Sequence, residues 1–338
     1  MSAGAVLIYT IVGYGFLLSV GARFLQTETP LFAASAKGDV AAAELLLKVG
    51  ARVDAGWTIG PFGAMATMTP LFAASKNGHA VVVELLLKAC ASVDAGWTLG
   101  PFGTVATETE TPLSAASGNG HAAVVELLLK AGAKVDAGFT LGPFGTMATM
   151  TPLREASEKG DLAVAELLLK AGANVDAGLN VGPFGTMATA TPLSLASEKG
   201  HAAVVELLFK AGASVDAGVT LGPFGTVATE TPLDIASGGG HAAVVELLLK
   251  AGAEVEVGFT LGPFGTMATM TPLRDAVAEL LLKGGASLDA GWTLGPFHMV
   301  ATTTPLSLAS EKGHAAVVEL LLKAGAKRAA SPQRIGLF

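Results

Sequence analysis

The chain has 338 residues, of which 51% are apolar and 14% charged, with aromatics at 6% and a net charge of −7. Charged residues make up about a quarter of an ordinary soluble domain, so small apolar side chains must build most of this interior. An acidic chain with no basic run lacks the footprint of a nucleic-acid binder. A single cysteine, Cys90, rules out an internal disulfide and a cysteine-based zinc site.

The first segment, residues 1–28, contains an uncharged stretch from Ala3 to Ala22, long enough to cross a membrane. Leu17-Leu18 and Val20-Gly21-Ala22-Arg23 also repeat Leu46-Leu47 and Val49-Gly50-Ala51-Arg52, as a worn half-repeat capping an array would. Val20-Gly21-Ala22 would suit a signal-peptide cleavage site, although the basic n-region is missing. Anchor, cap and signal peptide therefore stand as three readings of residues 1–23.

From residue 29 to 327 the chain is one unit written eight times. Thr-Pro-Leu returns at Thr29, Thr69, Thr111, Thr151, Thr191, Thr231, Thr271 and Thr304, most often 40 residues apart. Self-similarity at this period marks a solenoid whose units bury their apolar faces only by stacking. In the unit at Thr191, the Thr hydroxyl suits a helix N-cap and Pro192 the first helical position. The first helix should stop at Gly200, and a second should run from Ala202 to Ala211 before Gly212. Val204, Leu207 and Leu208 give that second helix an apolar stripe, while Glu206 and Lys210 form an i, i+4 pair on its wet side. Cys90 stands where other units carry Gly and is expected to be a small buried residue. The aspartates Asp54, Asp94, Asp136, Asp176, Asp216 and Asp289 read as turn formers, and His79, His121, His201, His241 and His314 as inter-helix turn residues. One imidazole per unit makes no metal site.

Thr-Pro-Leu-x-x-Ala-Ser-x-x-Gly-His followed by Val-Val-Glu-Leu-Leu-Leu-Lys-Ala-Gly-Ala resembles the ankyrin repeat, over roughly the whole of residues 29–327. The resemblance implies a mainly α fold: an α-solenoid of stacked helix–turn–helix units with β-hairpin fingers, binding proteins on its concave side. Three departures stand out. The position after Thr-Pro-Leu, His in the family, is here Phe32, Phe72, Ser114, Arg154, Ser194, Asp234, Arg274 or Ser307, so the hydrogen-bonded ladder of those histidines is expected to be missing. Most units are about seven residues longer than the family's. The seventh unit, from Thr271, has lost its inter-helix turn, which predicts a merged helix and a break in the stack.

The added residues fall in the hairpin, as in Gly96-Trp97-Thr98-Leu99-Gly100-Pro101-Phe102-Gly103, which reads as strand, turn and returning strand. A phenylalanine recurs at the tip as Phe62, Phe102, Phe144, Phe184, Phe224, Phe264 and Phe297. The base carries Trp57, Trp97, Phe139, Leu179, Val219, Phe259 and Trp292. Either neighbouring fingers bury these rings between them, or the rings form an exposed ridge that a partner covers. The aromatic members of both rows are the candidate partner-binding residues.

No nucleophile, base and acid converge anywhere in the sequence, and no cofactor or metal motif is present, so the chain reads as non-catalytic. The expected function is a scaffold that binds a protein through its fingers and concave helix face, without nucleic acid. The alternative is a membrane-tethered array held through residues 1–23. The corresponding locations are the cytoplasm, or a membrane with the array on its cytoplasmic side. Residues 328–338 form a short basic tail.

Overall fold

The computed structural model describes residues 26–59, 66–99, 108–141, 148–178, 188–217, 219–221, 228–254, 259–261, 268–270, 292–294 and 301–303. The finger tips, the seventh unit's expected merged helix (residues 271–291), residues 304–327 of the eighth unit, residues 1–25 and the tail lie outside these residues.

Six helix pairs are described, one per unit, and each is punctuated as its sequence demands. In the unit at Thr191 the hydroxyl accepts from the Ser194 amide at 3.2 Å, Pro192 opens the helix Pro192–Lys199, and Gly200 ends it at φ 75°. The second helix, Ala202–Lys210, follows, and Gly212 leaves it at φ 89°. Both glycines take the left-handed conformation that a Cβ disfavours. The same threonine also donates to a carbonyl 26 residues on, from Thr29 to Ala55, Thr69 to Ala95, Thr111 to Ala137 and Thr191 to Ala217. These four first helices are thus tied to the base of their own fingers without the histidine the family places nearby.

Stacking these pairs buries one continuous apolar core. Leu71, Leu86, Leu128, Leu153, Leu168, Leu193, Leu208, Leu233 and Leu248 are wholly buried, each contributing about 1.5–3 kcal/mol. Glu–Lys pairs line the outer side of the second helices. Five close at 2.6–2.8 Å, while Glu166–Lys170 is looser at 3.8 Å. First helices of successive units pack on one another more closely than second helices do.

The fingers are not free-standing. Their strands pair edge to edge across units, giving a seven-stranded antiparallel sheet from β1 (Gln26–Glu28) to β7 (Ala148–Met150). A second runs from β8 (Ala188–Thr189) to β14 (Ala301–Thr303). Threonine sits opposite threonine at strand after strand: Thr27↔Thr58, Thr58↔Thr67, Thr67↔Thr98, Thr98↔Thr109 and Thr109↔Thr140. The hydroxyls of Thr27 and Thr58, Thr67 and Thr98 (2.6 Å), and Thr109 and Thr140 bond to each other, each pair joining neighbouring units. Gly56, Gly96 and Gly138 sit at the strand base because a Cβ there would lie 1.7–1.8 Å from the carbonyl oxygen of Met68, Glu110 or Met150.

Two polar columns prove to be staples between units. Asp54 accepts from the Ser92 amide (3.0 Å) and hydroxyl (2.7 Å), and Asp176 from the Ser214 amide (3.1 Å) and hydroxyl (2.7 Å). Asp94, Asp136 and Asp216 each accept one amide of the next unit at 3.1 Å. The histidine Nε2 atoms bond back to the preceding unit, His79 to Ala36 O at 3.1 Å and His241 to Glu198 O at 2.8 Å. Cys90 corrects one expectation: it is exposed, at φ 63°. Its counterparts Gly50, Gly132, Gly172, Gly212 and Gly252 have nothing within 4 Å of where a Cβ would stand, so a side chain at this position points into solvent.

Candidate interaction surface

Because side chains alternate along a strand, the central threonines face one side of the first sheet and the flanking residues the other. That other side carries a row in register: Glu28 opposite Trp57, Trp57 opposite Met68, Met68 opposite Trp97, and Trp97 opposite Glu110. On the next hairpin Phe139 stands opposite Met150. Trp57, Trp97 and Phe139 are each half-buried, so part of each ring remains accessible. Phe259 and Trp292 open strands β11 (Phe259–Leu261) and β13 (Trp292–Leu294) of the second sheet, at the same register position. The tip residues Phe62, Phe102, Phe144, Phe184, Phe224, Phe264 and Phe297 lie outside the described residues.

The first-helix row supplies the neighbouring surface, and there the repeat is broken once. At the position after Thr-Pro-Leu, Phe72 is 1%, Ser114 0%, Arg154 7% and Asp234 7% exposed. Asp234 closes a capping box, accepting from the Thr231 amide at 3.1 Å and hydroxyl at 2.8 Å. Arg154 is different: its Nε and Nη1 are buried and have no hydrogen-bond partner. Burial pulls its pKa down against the stabilising charges of Glu158, Glu155 and Glu198.

Glu155, half-buried beside it, accepts from Ser114 Oγ at 3.1 Å. Desolvation, then the nearby Glu110 carboxylate, push its pKa up to about 8, against the Ser114 hydrogen bond and the Arg154 charge. Burial also raises Glu110, opposed by Lys76. A Cβ on Gly118 would stand 2.7 Å from Glu155 Oε2, so a glycine in the preceding unit makes room for this side chain. Among the described residues no three His, Cys, Asp or Glu side chains gather as a metal site.

This cluster escaped the sequence reading. Its signal is a pair of departures from the repeat, in the units that begin at Thr69 and Thr151. Glu108 stands where most returning strands carry Ala, in the unit that runs two residues long, Glu110 shares its position with Glu28 and Glu230, and Glu155 replaces the Ala33, Ala73 or Ala115 of earlier units.

The stacked pairs, the finger sheet and the Thr-Pro-Leu caps now stand together with the comparisons. Family models described as Ankyrin repeats (3 copies) match residues 31–138, 99–178 and 179–258, and one described as Ankyrin repeat matches residues 303–331. The chain belongs to the ankyrin repeat family. It is similar to the crystal structure of the human ASB11 ankyrin repeat domain, with 25% identity over 77% of this chain and 99% of that one, at a TM-score of 0.55. No curated protein matches it. Ankyrin repeats generally mediate protein–protein interaction. Among the described residues no helix is long and apolar enough to cross a membrane.

Proposed function

We propose that this ankyrin array is a non-catalytic scaffold that binds one protein partner across its finger sheet and the adjoining first-helix row. The observation that carries the reading is the aromatic and methionine row Trp57, Met68, Trp97, Phe139 and Met150, held in register on one sheet face with its rings half accessible. Rigid aromatics that stand partly exposed and side by side give a partner large contact area at low entropic expense. The Arg154–Glu155 cluster adds a charged feature beside it, since Glu110 both stands opposite Trp97 and acts on Glu155.

The test is quantitative affinity capture from source cells with three full-length baits: the natural chain, a Trp57→Ser/Trp97→Ser/Phe139→Ser variant and Arg154→Gln. A partner retained by the first and lost by the second supports the finger sheet as the docking face, and weakened capture by the third extends that face to the first helices. Equal capture by all three baits, each folded by circular dichroism, would sink the reading.

A further inference from the structure

The finger sheet carries charge of one sign. From each turn aspartate, or Glu256 in the sixth unit, to the next Thr-Pro-Leu, the fingers hold no lysine or arginine. The charged residues of the described strands are Glu28, Glu108, Glu110 and Glu230. On the second helices, by contrast, charges cancel locally: Glu84 and Glu126 close on Lys88 and Lys130 of their own helices at 2.7 and 2.6 Å.

Two of these carboxylates bracket the aromatic row. Across the first sheet the residues in register run Glu28, Trp57, Met68, Trp97 and Glu110, one from each successive strand. Neighbouring strands lie about 4.8 Å apart, so each tryptophan has a glutamate one strand away. Glu28 is exposed, and Trp57, Trp97 and Glu110 are half-buried. Lys76, a described cation that acts on Glu110, holds its Nζ over the Phe72 ring, 5.8 Å from the centroid. A carboxylate beside an indole suits an arginine, whose guanidinium bonds the acid at its edge and stacks its flat face on the ring.

We propose, on the reading that the finger sheet is the docking face, that it receives an extended basic segment of the partner. One arginine lies between Glu28 and Trp57, another between Trp97 and Glu110. Three strand spacings, about 14 Å, separate the two seats. Residues i and i+4 of an extended chain stand about 13 Å apart on the same side, so they reach both seats at once. The residue between them, at i+2, then meets Met68 and is apolar. Such a segment supplies the positive charge that the fingers lack, while the two glutamates repel acidic competitors.

The probe is a fluorescein-labelled peptide, Gly-Arg-Ser-Leu-Ser-Arg-Gly, titrated with the full chain at low ionic strength and followed by anisotropy. A copy with citrulline for both arginines keeps the shape and removes the charge. The natural chain should bind the arginine peptide about tenfold more tightly than the citrulline one. Glu28→Gln/Glu110→Gln should erase that preference, and Trp57→Ser/Trp97→Ser should weaken the arginine peptide to a similar degree. Circular dichroism confirms that each variant is folded. Equal binding of the two peptides to the natural chain, or no binding of the arginine peptide, would overturn the basic segment. So would a preference that survives Glu28→Gln/Glu110→Gln, because the cations would then sit on other acidic residues. Peptides that bind alike and are lost together with the tryptophans would remove the arginines and keep the finger sheet as the docking face. Failure of that face shows separately, as equal capture by the three full-length baits.

Discussion

Cys90 holds φ 63° at a helix end where its counterparts are glycines at φ 86–89°. An L-residue in this conformation carries about 1–2 kcal/mol of strain, partly offset because glycine loses more entropy on folding. Cys90→Gly is therefore expected to stabilise the array by about 0.5–1 kcal/mol, read as a rise in Tm, with no change in helix content. Glu155 is a second departure, of opposite character. Its pKa is pushed up to about 8 in the fold and returns to the ordinary carboxyl value when the chain unfolds. The folded state then binds the extra proton, so stability is fully present below the unfolded pKa and declines as pH rises toward 8. Glu155→Gln keeps an acceptor for the Ser114 hydroxyl and removes the titration. The variant should flatten the decline between pH 5 and 8, a difference on the order of 2 kcal/mol for a carboxyl that is only half-buried. Denaturation midpoints measured across that range for both proteins decide it, and parallel curves would show that Glu155 is not the titrating group.

At the scale of the element, the helix pairs carry their boundaries openly. Thr191, Pro192, Gly200 and Gly212 each act at the position their chemistry suits, so the caps were legible from one unit. The strands were equally plain, since Trp97 and Leu99 alternate around Thr98 before the residues Gly100-Pro101. What the sequence did not disclose is where the aspartate column bonds. An Asp before Ala-Gly reads as a local turn former, yet Asp176 reaches Ser214, 38 residues away, and no local rule connects them. These staples differ in strength by their partners. Asp176 holds an amide and a hydroxyl, whereas Asp94 holds only the Lys134 amide. Each such bond contributes about 0.5–1.5 kcal/mol, so Asp176→Ala should destabilise more than Asp94→Ala. Paired with Ser214→Ala, Asp176→Ala should also show a coupling energy in a double-mutant cycle. Additive losses would mean that the hydroxyl contact adds nothing.

Over the whole molecule, near-identical units make the stack legible and hide what is singular in it. The period revealed the array, while the Arg154–Glu155 cluster, built from residues of adjoining units and one strand, appears only once those units are placed side by side. The same geometry governs how the array fails. Each unit touches only its neighbours, so stability is a sum of unit and interface contributions, and a weak unit in the middle divides the whole. Leu128 is wholly buried in the third unit and belongs to the continuous core that runs from Leu31 to Ala253. Truncating it leaves a cavity that costs about 2–5 kcal/mol, and the loss falls on the interfaces with both neighbours. Leu128→Ala should therefore turn urea unfolding of the full array into two transitions. In hydrogen exchange, amides of residues 112–133 should lose protection before those of 192–213. A single transition with uniform loss of protection would mean that the threonine-paired sheet couples the units more strongly than the helices do, and that the fingers, beyond offering a surface, hold the array together.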